Sequence, residues 1–229
     1  RDGGSRWGAR RFFGAGGGFR RRGPPRLVAI GGLSGTGKTT VAALMAPHLG
    51  RPPGAVHLRS DIVRKRRMGV GPLDRLPPEA YTQAVSDAVF ATLREEAALA
   101  LGAGQAVIVD AVHLRPDERD AIGAVAAAAG VPFTGLWLVA PIETLVERVG
   151  ARTGDASDAT AEVVVAQAAR PAGPIGWTVL DASMPLPHLL RAALEACGVR
   201  WPYLDPPEED ERPRLDVSGR IDRGAEEVT

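Results

Sequence analysis

A lysine, three hydroxyls and a run of glycines stand together once in this chain. Gly32-Leu33-Ser34-Gly35-Thr36-Gly37-Lys38-Thr39 follows a short apolar run, Arg26 to Gly31, and precedes an amphipathic one. Glycines at this spacing let successive backbone N–H groups converge on an anion, the start of the following helix adds its positive end, and the lysine reaches the outer phosphates. A hydroxyl directly after the lysine is the residue type that ligates Mg²⁺. The pattern therefore predicts a site for ATP with Mg²⁺, with Gly32, Ser34, Gly35, Thr36, Gly37, Lys38, Thr39 and Thr40 around the nucleotide and Thr39 on the metal.

Other candidates lie where strands should end. Asp110 closes the apolar run Ala106 to Val109, and a carboxylate there can hold the Mg²⁺ shell beside the phosphate loop; a plain strand-end cap is the alternative. Ala111 follows, where ATP-hydrolysing motors place a glutamate to activate water, so a kinase fits better than a mechanical ATPase. Asp61 comes just after the apolar run Ala55 to Leu58. It could accept the proton of an attacking acceptor hydroxyl, though helix N-capping explains an aspartate there equally well. Arg64, three residues on, shares its helical face and could hold an anionic group of the acceptor. Arg148 and Arg152 stand four apart before the polar stretch Gly154 to Asp158. Arginines on a closing lid neutralise the transferred phosphoryl group, while a solvated helix end is the plainer reading. His113 and the other histidines show no metal-ligand spacing, so no structural metal is expected.

These residues need elements to position them. Short apolar runs at 26–31, 55–58, 106–109, 133–139 and 177–180 read as buried strands. Helical spacing follows at Lys38 to Leu49, in a basic segment after Asp61, from Pro78 to about Leu101, across Pro116 to Ala129, from Pro141 to about Arg152, on to Arg170, and in a last helix ending near Cys197. Strands alternating with helices predict an α/β fold, a doubly wound parallel sheet with a small lid, with ligands at the carboxyl ends of the strands.

Composition bounds the rest. A chain of 229 residues suffices for one buried core. Residues 1 to 26 carry eight Arg against one acid, and residues 202 to 229 carry nine acids against four Arg. Both ends are poor in apolar residues, so a disordered Arg/Gly-rich lead (1–25), a catalytic domain (26–198) and a disordered acidic, Pro-rich tail (199–229) are expected. The single cysteine and the lack of a long apolar run or signal peptide point to a cytoplasmic protein without a membrane span. The 28 basic residues include only two lysines, Lys38 and Lys65. Lys38 meets the need for a compact ammonium at phosphate; Lys65, inside Arg64-Lys65-Arg66-Arg67, reads equally well as part of a solvated basic helix face.

The segments GLSGTGKTT, VHLRSDIVRKR, VIVDAVHLRPDER, GLWL and RTGDASDA, with Gln167 and GPIGW after them, resemble the P-loop small-molecule and polynucleotide kinases, the AAA-family ATP-binding proteins often fused behind an aminoglycoside phosphotransferase-like domain. The resemblance spans about Arg26 to Gly198. It implies that Asp61 and Arg64 match an Asp-x-x-Arg pair that activates and orients the acceptor hydroxyl. It matches Asp110 to the acid of a D-x-T/N element, in which this chain has Val112 and so lacks one hydrogen-bonding side chain. The start at Arg1 and the Arg-rich lead are compatible with a preceding fused domain.

Three functions fit. The first is transfer of the ATP γ-phosphate to a hydroxyl of a small-molecule acceptor. The second is a polynucleotide 5′-hydroxyl kinase or nucleic-acid-associated ATPase, encouraged by the Arg64 to Arg67 patch and the Arg/Gly/Phe lead but disfavoured by a near-neutral core and few aromatics. The third is a non-catalytic ATP-binding module that regulates an attached domain. No N-K-x-D string for reading guanine occurs.

Overall fold

Leu27–Gly31 forms β1, and every residue of it is buried. A strand apolar on both faces must be covered on both, which places it inside a parallel sheet. The computed structural model describes residues 23–151 and 154–199. In it, β1 is the middle strand of a five-stranded parallel sheet ordered β2-β3-β1-β4-β5. The other strands are β2 (Val56–Arg59), β3 (Val107–Asp110), β4 (Phe133–Val139) and β5 (Thr178–Asp181). Between them run α1 (Lys38–Met45), α2 (Ser60–Arg67), α3 (Gln83–Gly102), α4 (Pro116–Ala128), α5 (Ile142–Gly150), α6 (Ala161–Ala168) and α7 (Leu186–Ala196).

Alternation along the strands builds two cores from one sheet. Val28 and Ile30 of β1, with Ile108, Leu136 and Leu138, pack against α1 and α7. Leu27 and Ala29, with Val107 and Val109, pack on the other face against α3 and α4. A small third cluster joins Leu145 and Val149 of α5 to Val164 of α6, with Leu33 of the phosphate loop against it. The strand order reverses at β1, between β3 and β4, and this is where a doubly wound sheet opens a crevice at its carboxyl edge.

Two boundaries differ from the sequence expectation for a physical reason. The first helix stops at Met45 and a 3₁₀ turn, Ala46–His48, takes over, because Pro47 cannot donate the next backbone hydrogen bond. The helix expected from Pro78 begins at Gln83, where Thr82 accepts from Val85 N at 3.4 Å; Pro78–Tyr81 forms a separate 3₁₀ turn.

Leu136 is fully buried where β4 meets β1. Leu136→Ala is expected to lose about 2–5 kcal/mol, read as a lower urea midpoint with an unchanged m-value.

Candidate functional site

The loop after β1 is shaped by close backbone approach. A Cβ on Gly32 would lie 2.4 Å from the Leu138 carbonyl, and one on Gly35 would lie 2.7 Å from the Leu145 carbonyl; φ is +128° and +88° at the two positions. Any side chain would collide with β4 or α5 in a conformation L-residues avoid. Gly32 N donates to Val112 O at 3.1 Å, fastening the loop to the chain beyond β3. Lys38 Nζ donates to Leu33 O at 2.9 Å and the Thr36 hydroxyl donates to the same oxygen at 2.8 Å, so the lysine lies folded over the loop it serves.

Parallel pairing sets Asp110 opposite Ile30, one residue before the loop begins to turn. The Thr39 hydroxyl at the start of α1 therefore donates to Asp110 Oδ2 at 2.5 Å. His57 Nε2 lies 3.5 Å and Arg59 Nε 3.9 Å from the same oxygen. Burial pushes the Asp110 carboxyl up, but the His57 ring, the Lys38 charge and the Thr39 hydroxyl outweigh it and hold it below the usual range. Thr39 and Asp110 thus present two hard oxygens beside the phosphate loop. That donor set suits Mg²⁺, which keeps several waters and takes its remaining ligands from substrate phosphates. Among the described residues no group of three or more His, Cys, Asp or Glu forms an all-protein cage.

Asp61 is the second residue of α2, in its first turn. Arg59 occupies the N-cap position, and no side chain caps the helix. The capping alternative therefore fails, and the Asp61 carboxylate makes no hydrogen bond to a described residue. Burial and then the nearby Asp110 charge raise its pKa, against Lys38, Arg59 and Arg64. Arg64 is buried: its Nη1 donates to Ala80 O at 2.7 Å, its Nη2 reaches the Ser86 hydroxyl at 3.4 Å, and its guanidinium lies 4.9 Å from the centre of the Tyr81 ring. Two of its nitrogens are thus committed to the 3₁₀ turn and α3.

One cavity of about 900 Å³ brings these groups together. Ser34, Lys38, Thr39, Asp61, Arg64 and Asp110 all border it, and Val112 adds an apolar stretch of wall where the resemblance expects Thr or Asn. A smaller cavity of about 310 Å³ lies against the loop at Thr36, between Arg148 and the segment Ala182, Met184 and Leu186. Gly35, Gly37 and Thr40 border both. Arg148, expected over the transferred phosphate, is thus placed in the smaller cavity, away from Asp61; Arg152 lies outside the described residues.

Several residues that shape the cavity carried no assigned role in the sequence. Arg170, beyond the end of α6, borders the large cavity, as does Gln167, whose side chain accepts from Ser34 N at 2.9 Å. Asp155 pairs with Arg59 at 2.7 Å. For Lys65 the solvated-face alternative fails: it is 1% exposed and pairs with Asp158 at 3.2 Å. Asp158 also accepts from Leu76 N at 3.1 Å and from the Tyr81 hydroxyl at 2.7 Å. The segment Gly154 to Asp158 is therefore pinned to the end of β2 and to α2, and it forms part of the cavity wall. His113 is buried between Phe90 and Trp177, with ring centroids 5.3 Å from each, and burial lowers its pKa to about 3.

Removing one partner of a buried ion pair leaves an uncompensated charge. Lys65→Met is expected to cost about 3–5 kcal/mol in a denaturant titration, and adding Asp158→Asn should recover part of the loss.

A sequence model described as the AAA domain (AAA_33) matches residues 27–174. The uncharacterized protein Rv2004c of Mycobacterium tuberculosis is 34% identical over 151 residues, covering 64% of this chain and 30% of the relative. The chain thus spans less than a third of the length of the curated relatives it matches. Among solved structures, a gluconokinase from Sinorhizobium meliloti superposes with a TM-score of 0.54 at 22% identity, over 78% of this chain and 94% of the other. A Mycobacterium tuberculosis APS kinase in complex with AMPPNP and APS gives 0.53 at 18% identity, over 77% and 99%. Identities this low speak for a shared fold and no more. The chain belongs to the AAA domain family and has the doubly wound parallel fold of the P-loop kinases.

Proposed function

We propose that this chain transfers the terminal phosphoryl group of ATP to a hydroxyl of a small-molecule acceptor. The observation that carries the reading is the large cavity: the phosphate loop, Asp110 and Asp61 all border it, and its volume of about 900 Å³ has room for an acceptor beside the phosphates. Lys38 and the loop N–H groups bind the phosphates. Thr39 and Asp110 would hold Mg²⁺, which neutralises charge on the phosphate oxygens when bound. The acceptor oxygen bonds to the γ-phosphorus as the bond to the bridging oxygen breaks, ADP leaves, and the hydroxyl proton passes to Asp61. Arg170, which borders this cavity, can take the charge-neutralising role expected of Arg148.

The smaller cavity suits the nucleoside. It is lined by Met184, Leu186 and Leu189 together with Arg148, residue types against which a base can be packed and stacked. ATP would then run from there across the loop into the large cavity.

A small acceptor fits better than a nucleic acid. Of the basic run, Arg64 and Lys65 are buried, Arg66 pairs with Glu96, and Arg67 donates to Thr92. At the acceptor end Arg115 already pairs with Asp87 at 3.1 Å and Asp117 at 2.8 Å. Few free cations remain on this side to track a polyphosphate backbone. We place the activity in the cytoplasm, where ATP is available; no helix among the described residues is long and apolar enough to cross a membrane.

Transfer of label from γ-labelled ATP to pooled sugars, polyols, aminoglycosides and 5′-hydroxyl oligonucleotides tests the reading. Label is expected in a small-molecule pool, and Asp61→Asn should slow its transfer on the order of 10²–10⁴-fold; transfer only to oligonucleotides, or full activity in Asp61→Asn, would refute it. Because Asp61 must be ionised to act as a base and its pKa is raised, kcat/KM should climb with pH through a value above the ordinary aspartate range. That limb should vanish in Asp61→Asn. Arg148→Ala should raise KM for ATP about 3- to 30-fold and leave kcat nearly unchanged, the reverse of what a group on the transferred phosphate would do.

A further inference from the structure

Ser34 N, inside the phosphate loop, donates to Gln167 Oε1 at 2.9 Å across 133 residues of sequence. Gln167 belongs to α6, which is anchored by Val164 against Leu145 and Val149 of α5. Val163, Ala166 and Gln167 all border the large cavity, as does Arg170 just beyond the helix. The spacing of three and four puts the first three on one helical face, so that face borders the site.

The position of Ser34 shows which phosphate it would meet. Ser34 borders the large cavity and not the smaller one, whereas Thr36 borders the smaller and not the large. Lys38, whose ammonium addresses the outer phosphates, folds onto the carbonyl of Leu33, next to Ser34. A nucleotide with its base beside Arg148 therefore brings its outermost phosphate to the Ser34 N–H. A phosphate oxygen and Gln167 Oε1 are both acceptors and cannot both take that one hydrogen. A carboxamide, however, carries a donor NH₂ beside its oxygen. Turned over, it can offer N–H to the same phosphate.

We propose that Gln167 is a γ-phosphate contact that distinguishes ATP from ADP. Its oxygen holds the Ser34 N–H in the empty site, and its NH₂ holds a γ-phosphate oxygen in the filled one. ADP, which ends one phosphate short, leaves the resting contact in place. The inference rests on the nucleotide-binding reading above and adds a residue to it.

Calorimetric titration of the full chain with ADP and with a non-hydrolysable ATP analogue, both with Mg²⁺, tests it without knowledge of the acceptor. Gln167→Ala should weaken the ATP analogue about 3- to 10-fold, the worth of one hydrogen bond, while ADP stays within about twofold. Gln167→Glu keeps the shape but has only acceptors, so it should weaken the ATP analogue further and ADP much less. Equal effects on both nucleotides, unchanged ATP-analogue affinity, or tighter ATP-analogue binding in Gln167→Ala would overturn the proposal; the last would make the side chain a mere obstacle. Melting temperatures of both variants check that they fold. If neither nucleotide binds the unaltered chain, the nucleotide-binding reading fails and this inference falls with it, a result distinct from all of these.

Discussion

The hydrogen bond from the Thr39 hydroxyl to Asp110, at 2.5 Å, is the contact on which the rest of the site depends. It requires β1 and β3 to be neighbours, with Ile30 opposite Asp110. It requires the chain to reverse through a loop tight enough to start α1 directly over the end of β3. That turn is open only to a backbone that tolerates the Leu138 and Leu145 carbonyls at its surface, which explains Gly32 and Gly35. Sheet order, loop and helix start are thus parts of one geometric requirement: a hydroxyl and a carboxylate held together beside converging N–H groups. The same proximity sets the electrostatics. Lys38 and Thr39 help keep Asp110 ionised despite its burial, and the ionised Asp110 in turn helps raise Asp61.

The second level of organisation is the way α5, α6 and the segment between them meet this frame. Leu145 of α5 packs against the loop, and its carbonyl closes on Gly35. Gln167 of α6 reaches the Ser34 N–H. Asp155 and Asp158 reach back to Arg59 and Lys65 beside Asp61. Asp158 is the hub of this part of the large cavity's wall, since it gathers α2, the chain at Leu76 and the 3₁₀ turn at Tyr81, and Tyr81 covers Arg64. A buried ion pair is a poor source of net stability but a strong specifier of geometry when it is fully bonded. Here it fixes α2 and the 3₁₀ turn, which bring Asp61, Arg64 and Tyr81 to the large cavity.

How much of this could be read in the residues depends on how local each feature is. The phosphate loop, Thr39 and Asp110 were legible because strand, loop and helix follow one another in sequence, and because a buried parallel strand ends where its apolar run ends. Asp61 was legible for the same reason, but its competing role as a helix cap could be dismissed only once Arg59 was seen at that position. The scarcity of lysine singled out Lys65, yet its partner Asp158 lies 93 residues away, and no periodicity connects them. Arg148 lies on the expected helix but borders the smaller cavity and not the one that Asp61 borders. Helical spacing gives the face a residue occupies, whereas the side of the loop on which that face sits is settled by the packing of Leu145, Val149 and Val164. Val163, Ala166 and Gln167 share one face of α6 by spacing, but what that face covers is a tertiary matter.

The most direct measurement of the account is a structure of the chain with AMPPNP and Mg²⁺. The account places the base in the cavity beside Arg148 and Met184, the metal on Thr39 and Asp110, and the γ-phosphate in the large cavity, facing Asp61 and reached by Lys38. A γ-phosphate lying in the smaller cavity, or a metal held away from Thr39 and Asp110, would contradict it.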